Sequence, residues 1–210
     1  MIPKIKICGI TSLDDAMAAC DAGADALGFN FAPEAKRKHR YIEPEAAAAI
    51  IAQLPPFVAT VAVTVNATPN QLREYLTLTD YVQLHGEESP EQCADLGRRG
   101  IKAFRLKPDF DTTILKDYVV GAYLVDAYSS DARGGTGYIC DWDQAKTVVA
   151  MGCPIILAGG LTPDNVTDAV QTVRPYGVDT AGGVENAPGK KDHEKLRAFV
   201  RNATRALSIS

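Results

Sequence analysis

The 210-residue sequence predicts an α/β protein built as a single (β/α)8 TIM barrel spanning residues 1–210. Three observations carry that expectation. Short apolar runs rich in β-formers alternate with longer amphipathic stretches along the whole chain. Eight such runs are present. Successive runs begin about twenty to thirty residues apart, room for one crossover helix each, and such crossovers make neighbouring strands parallel. An open doubly wound sheet is the alternative arrangement, but eight regular units ending in a final helix favour closure.

In chain order, the first unit pairs the strand KIKIC (4–8) with a helix from Leu13, where Ser12 and Asp15 have capping-box spacing. DALGFNF (25–31) precedes a helix starting near Pro44, and FVATVAVTV (57–65) one starting near Pro69. YVQLH (81–85) leads to Pro90, IKAFRL (101–106) to Thr112, and AYLVDA (122–127) to Trp142. PIILA (154–158) is followed by a start at Pro163, and GVDTA (177–181) by the last helix at His193. Proline suits four of these starts because the first helical turn leaves its N–H groups unpaired anyway. No stretch reads as an interdomain linker or a low-complexity tract.

Composition narrows the function classes. Hydrophobic residues make up 46% and charged residues 23%, the balance of an ordinary globule rather than of a disordered or coiled-coil chain. A net charge of −4 disfavours nucleic acid and anionic membrane surfaces as partners. No apolar run approaches the roughly 20 residues of a membrane span. The opening MIPKIKICGITSLDD lacks the apolar core of a signal peptide. Five cysteines, Cys8, Cys20, Cys93, Cys140 and Cys153, are scattered and contain no CxxC, which argues against a disulfide framework and a zinc site. A cytoplasmic protein without metal or cofactor is the expectation.

A barrel carries its function at the C-terminal ends of the strands. Residues at those positions are Cys8, Asn30, Asn66, His85, Arg105, Asp126, Gly159 with Gly160, and Asp179. AGGLTPDN (158–165) after the seventh strand and AGGVE (181–185) after the eighth are neighbouring glycine-rich turns, the place where barrels of this kind hold a phosphate. Glycine lets backbone N–H groups approach an anion, and a helix N-terminus adds a favourable dipole. Neither a G-x-G-x-x-G after the first strand nor a GK[ST] occurs, so dinucleotide and triphosphate binding are not expected.

Cys8 closes the first strand just before a capped helix, whose dipole favours thiolate; burial as a small hydrophobe is the competing reading. Asp126 ends AYLVD, in a partly dry mouth where desolvation suits a carboxyl group to acid work; an ordinary loop aspartate is the alternative. His85 follows VQL and is a substrate-contact candidate, or a hydrogen-bonded structural group. The basic cluster KRKHR (36–40) either receives an anion or is a solvated face, and YSSDARGGTG (128–137) is either a lid or a plain connection.

KICGIT, DALGFNF, VQLHGEE, GGTG followed by DW, AGGLTPDNV, and RPYGVD with GVE resemble, in order and over nearly the whole chain, the phosphoribosylanthranilate isomerases of tryptophan biosynthesis. The resemblance implies a (β/α)8 barrel performing a cofactor-free Amadori rearrangement of N-(5-phosphoribosyl)anthranilate. It implies Cys8 as general base and Asp126 as general acid. It also implies Arg40 or Arg37 at the anthranilate carboxylate, Arg40 being favoured through Arg-Tyr-Ile, and His85 beside the anthranilate. Backbone amides around Gly159, Gly160, Ala181 and Gly182 would hold the phosphate, with Asp179 nearby.

The chain departs from the family pattern in the longer segment PEAKRKHRY, in Thr64 where an aromatic would help line the pocket, and in Ala181-Gly182 where serines are usual. Rival readings are a histidine-pathway or bifunctional phosphoribosyl isomerase, and a non-catalytic barrel that binds a phosphorylated ligand. The expected partner is a small phosphorylated molecule, with neither nucleic acid nor membrane. A monomer is the default and a homodimer the alternative.

Overall fold

The computed structural model describes residues 2–127 and 140–207. The expected strands form as β1 (Lys4–Cys8), β2 (Ala26–Asn30), β3 (Ala59–Thr64), β4 (Tyr81–Leu84), β5 (Gly100–Leu106), β6 (Ala122–Ala127), β7 (Ile155–Leu157) and β8 (Gly177–Thr180). They hydrogen-bond in sequence order and in parallel, and β1 pairs with β8 to close the barrel. Strand side chains alternate between two environments, as a period of two requires. One set, including Cys8, Val61, Val63, Ala103, Leu124, Ile156 and Ala158, fills the barrel interior. The other set packs outward, under the helices.

Those helices are α1 (Leu13–Ala22), α2 (Pro44–Ile51), α3 (Pro69–Leu78), α4 (Pro90–Ala94), α5 (Trp142–Val149), α6 (Val166–Val173) and α7 (His193–Arg205). Pro44, Pro69 and Pro90 open their helices as expected. Pro163 does not: it lies in a turn, and α6 starts at Val166. The reason is local, because the Asn165 side chain accepts from Thr162 N at 2.8 Å and donates to Gly160 O at 3.0 Å, closing a turn around the proline. The crossover at Thr112 is a 3-10 helix, Thr112–Asp117, in a stretch dense with β-branched residues that resist a longer α-helix.

The Ser12–Asp15 capping box forms by half. Ser12 accepts from Asp15 N at 3.2 Å, but the Asp15 carboxylate turns instead to His193 Nε2 at 2.9 Å and Lys191 N at 3.2 Å, tying α1 to the end of the chain. Elements without a sequence forecast include a 3-10 helix over Pro33–Lys38 after β2, and a small antiparallel hairpin of β9 (Glu185–Ala187) and β10 (Lys190–Lys191) between β8 and α7. Both rise beside the barrel mouth. Among the described residues no helix is long and apolar enough to cross a membrane.

Candidate active site

A cavity of about 850 Å³ occupies the C-terminal mouth of the barrel. Cys8, Asp126, His85, Asp179, both arginine candidates and both glycine turns line it. Strand parity explains the gathering: Cys8 on β1, Asp126 on β6 and Asp179 on β8 all point inward near the C-terminal ends of their strands.

The Cys8 wall is dense with paired charge. Lys6, two positions before Cys8 and therefore on the same face, donates to Asp179 Oδ1 at 2.7 Å. Lys191 on β10 donates to Cys8 O at 2.6 Å, Ala181 O at 3.1 Å and Glu185 Oε1 at 3.1 Å. Arg40 grips the same Glu185 carboxylate twice, Nε to Oε1 at 2.9 Å and Nη2 to Oε2 at 2.8 Å. Burial would push Glu185 up, but Arg40 and Lys191 hold it below its ordinary value. Burial also pushes the Cys8 thiol up, and Asp179 adds to that push. Lys6, Lys191 and Arg40 pull the other way without cancelling it. Three cations and one carboxylate therefore act on the thiol through space.

The Asp126 wall holds no lysine or arginine in direct contact with its carboxylate among the described residues, although Lys38 acts on it through space. Asp126 is 5% exposed, and its Oδ1 accepts from Ala127 N at 2.8 Å. Its Oδ2 lies 3.4 Å from His85 Nε2. Gln83 Nε2 stands 3.1 Å from His85 Nδ1. With the amide as donor, Nδ1 accepts and Nε2 carries the proton, aimed at Asp126. Among the described residues neither His85 Nε2 nor Gln83 Oε1 has a hydrogen-bond partner.

The glycine turns meet the same cavity. Gly159 and Gly160 have φ of +85° and +64°, and a Cβ on Gly159 would come within 2.5 Å of Ala127 N. Only glycine fits there. After β8, the Gly182 turn runs into a short 3-10 turn and the hairpin, not directly into a helix as the sequence implied. The Pro33–Lys38 helix forms a lip that sets Arg37 and Lys38 on the cavity; Arg37 is exposed, whereas Arg40 lies deeper with Glu185.

Other candidates separate. Asn30 and Arg105 line the cavity, Arg105 being paired with Glu87 at 3.1 Å. Asn66 serves structure instead, its N–H donating to Glu88 and its side chain accepting from Glu87 N. Thr64 is corrected: Val63 and Val65 line the cavity, while Thr64 points outward and donates to Gln83 O at 3.3 Å. A change of side chain at Thr64 therefore leaves the pocket wall intact. Cys93 and Cys140 are buried, and burial pushes their thiols up to about 11 and about 12, which leaves them inert at neutral pH. The segment 128–137, read as either a lid or a plain connection, lies outside the described residues.

Lys6, Gln83, Glu185 and Lys191 were not anticipated from sequence. Lys6 and Gln83 were within reach, since each stands two positions before a recognised strand-end residue and must share its face. Glu185 and Lys191 are brought in by the hairpin, which carries no periodic signal.

Fold and mouth together define a TIM-barrel enzyme. The chain belongs to the N-(5′-phosphoribosyl)anthranilate (PRA) isomerase family, whose model matches residues 5–202. A PRA isomerase of Geobacter sulfurreducens is 54% identical over 202 residues, covering 95% of this chain and 98% of that protein. The crystal structure of the Thermus thermophilus PRA isomerase superimposes with a TM-score of 0.85 at 41% identity, over 95% of this chain and 97% of the other. A further PRA isomerase, crystallised with reduced 1-(o-carboxyphenylamino)-1-deoxyribulose 5-phosphate, gives a TM-score of 0.82 at 37% identity, covering 96% and 98% of the two chains.

Proposed function

We propose that the chain converts N-(5-phosphoribosyl)anthranilate into 1-(2-carboxyphenylamino)-1-deoxyribulose 5-phosphate in tryptophan biosynthesis, with Asp126 as general acid and Cys8 as general base. The observation that carries this reading is that one cavity holds Cys8, Asp126 and both glycine turns. Asp126 gives a proton to the furanose oxygen as the C1–O bond breaks, and the anilino nitrogen's electron pair forms the C1=N Schiff base. That cation acidifies C2, and the Cys8 thiolate takes the C2 proton to leave an enaminol. Loss of the C2 hydroxyl proton and protonation at C1 complete the ketone. Oxidation at C2 balances reduction at C1, so the step needs no external redox partner. Each group contributes a factor of about 10²–10⁴.

Backbone amides at Gly159, Gly160, Ala181 and Gly182 would receive the phosphate, and His85 and Asp179 would face the substrate. Arg40 would receive the carboxylate. Glu185 uses two of its five donors, leaving the remaining edge oriented, and Arg40 with Lys191 outnumbers that single carboxylate. Arg37 at the lip is the second candidate. A monomer stays the proposed state. A reducing, cytoplasmic setting fits the five free cysteines.

The test is the decay of phosphoribosylanthranilate fluorescence in chelator-containing buffer. Wild type should consume the substrate and Cys8→Ser nearly none of it. Folded wild type that leaves the fluorescence unchanged would overturn the assignment.

A further inference from the structure

Lys6 is a buried charge that the proposed chemistry leaves without a role. The interior of a TIM barrel is filled mainly by branched apolar side chains, as Val61, Val63, Leu124 and Ile156 do here. A lysine 3% exposed in that layer gives up its hydration, and an ion pair at best offsets the loss.

Strand register shows what stands around it. Lys6 is the β8 partner of Asp179, which accounts for the 2.7 Å ion pair. Cys8, on the same face, is the β2 partner of Gly28. A Cβ on Gly28 would lie 2.9 Å from Cys8 Sγ and 3.1 Å from Lys6 Nζ. Thiol and ammonium therefore converge on the space that this glycine leaves open, and a larger residue would divide them.

We propose that Lys6 is a positioning residue for the base: anchored by Asp179, its ammonium stands against Cys8 and stabilises the thiolate whenever the proton is given up. The proposal rests on the reading of Cys8 as base. The charged groups facing Cys8 are Lys6 on its own strand, Asp179 on β8, Lys191 on β10 and Arg40 after β2. Lys191 and Arg40 share Glu185, so their charge is partly answered by that carboxylate. Lys6 is the largest opponent of burial among the four, and burial itself fails to neutralise it because Asp179 and Cys8 keep its proton on.

The test is alkylation of Cys8 by iodoacetamide across pH, read on the Cys8 peptide by mass spectrometry, beside the pH profile of kcat/KM. Wild type, Lys6→Met, Lys6→Arg and Lys6→Met/Asp179→Asn are compared. In Lys6→Met the alkylation midpoint should rise by about one unit, so that reactivity and kcat/KM at fixed neutral pH both fall about tenfold. Lys6→Arg should keep both near wild type. The double variant leaves no buried carboxylate alone, which protects the fold, and should rise by less than Lys6→Met. A folded Lys6→Met or double variant with the wild-type midpoint would make Lys6 a purely structural ion-pair member and end the proposal. Alkylation needs no substrate. An inactive wild type would therefore overturn the functional reading, while the midpoints still judge Lys6.

Discussion

The two walls of the mouth solve one problem in different ways. Around Cys8, order comes from inside the barrel: Lys6, Asp179, Glu185, Lys191 and Arg40 form ion pairs that reach the strand end itself. Around Asp126, order comes from behind the sheet. Lys102 points outward from β5 and meets Glu88 at 2.7 Å and Gly86 O at 2.9 Å, while Glu88 accepts from Asn66 N at 2.8 Å and Gly86 N at 3.0 Å. This buried pair fixes the turn after His85, and His85 in turn faces Asp126. The difference teaches that a barrel can hold a group rigid without surrounding it with charge. Under the proposed roles, the base is set among ion-paired cations, and the acid against an imidazole and a backbone amide.

The largest effect should follow from the two groups themselves. Cys8→Ser and Asp126→Asn should each lower kcat by about 10²–10⁴ with little change in KM, as steady-state kinetics would show. A mutant that lost KM instead would make its wall a binding surface.

Next comes the support behind the acid wall. Lys102→Met leaves Glu88 buried and unpaired, and chemical denaturation should show a loss of about 3–5 kcal/mol. Burial opposes the charge on Glu88, but Lys102 and the backbone N–H groups hold its carboxyl below the ordinary value. Its contribution is therefore complete above the unfolded-state value and is lost as pH falls through the lower folded one. Thermal melts below pH 4.5 should accordingly flatten in Glu88→Gln, whereas wild type keeps losing stability as the pH drops.

Substrate binding sharpens the contrast further. Arg40→Ala should raise KM by roughly 10–100-fold, the scale of lost hydrogen bonds to a charged group, with a smaller change in kcat. Arg37→Ala should do less. If Arg37 carries the larger effect, the carboxylate lies at the lip rather than against Glu185. The smallest effect should come from His85→Asn, at most about tenfold in kcat, because its Nε2 approaches Asp126 Oδ2 only to 3.4 Å. No change there would mean that Asp126 is held by Ala127 N alone.

Much of this was legible in the sequence because buried parallel strands read as apolar runs. Each of the eight strands was anticipated to within a residue or two. Cys8 and Asp126 were visible because they end such runs at the functional face. What stayed hidden depends on short-range turn chemistry or on distant pairing. Pro163 looks like a helix start until Asn165 is seen bonding back to Thr162 and Gly160. Asp15 looks like half of a capping box until His193 arrives from the other end of the chain. Glu185 and Lys191 lie in a polar segment without periodicity, and their importance appears only when the hairpin folds them onto Cys8 and Arg40.

The division of labour between the walls is tested most directly with substrate deuterated at ribose C2, compared with ordinary substrate in wild type, Cys8→Ser and Asp126→Asn. The account predicts a full primary isotope effect on the residual rate of Cys8→Ser, where C2 deprotonation limits, and a suppressed one in Asp126→Asn, where ring opening limits. The reverse order would contradict the assignment of base and acid.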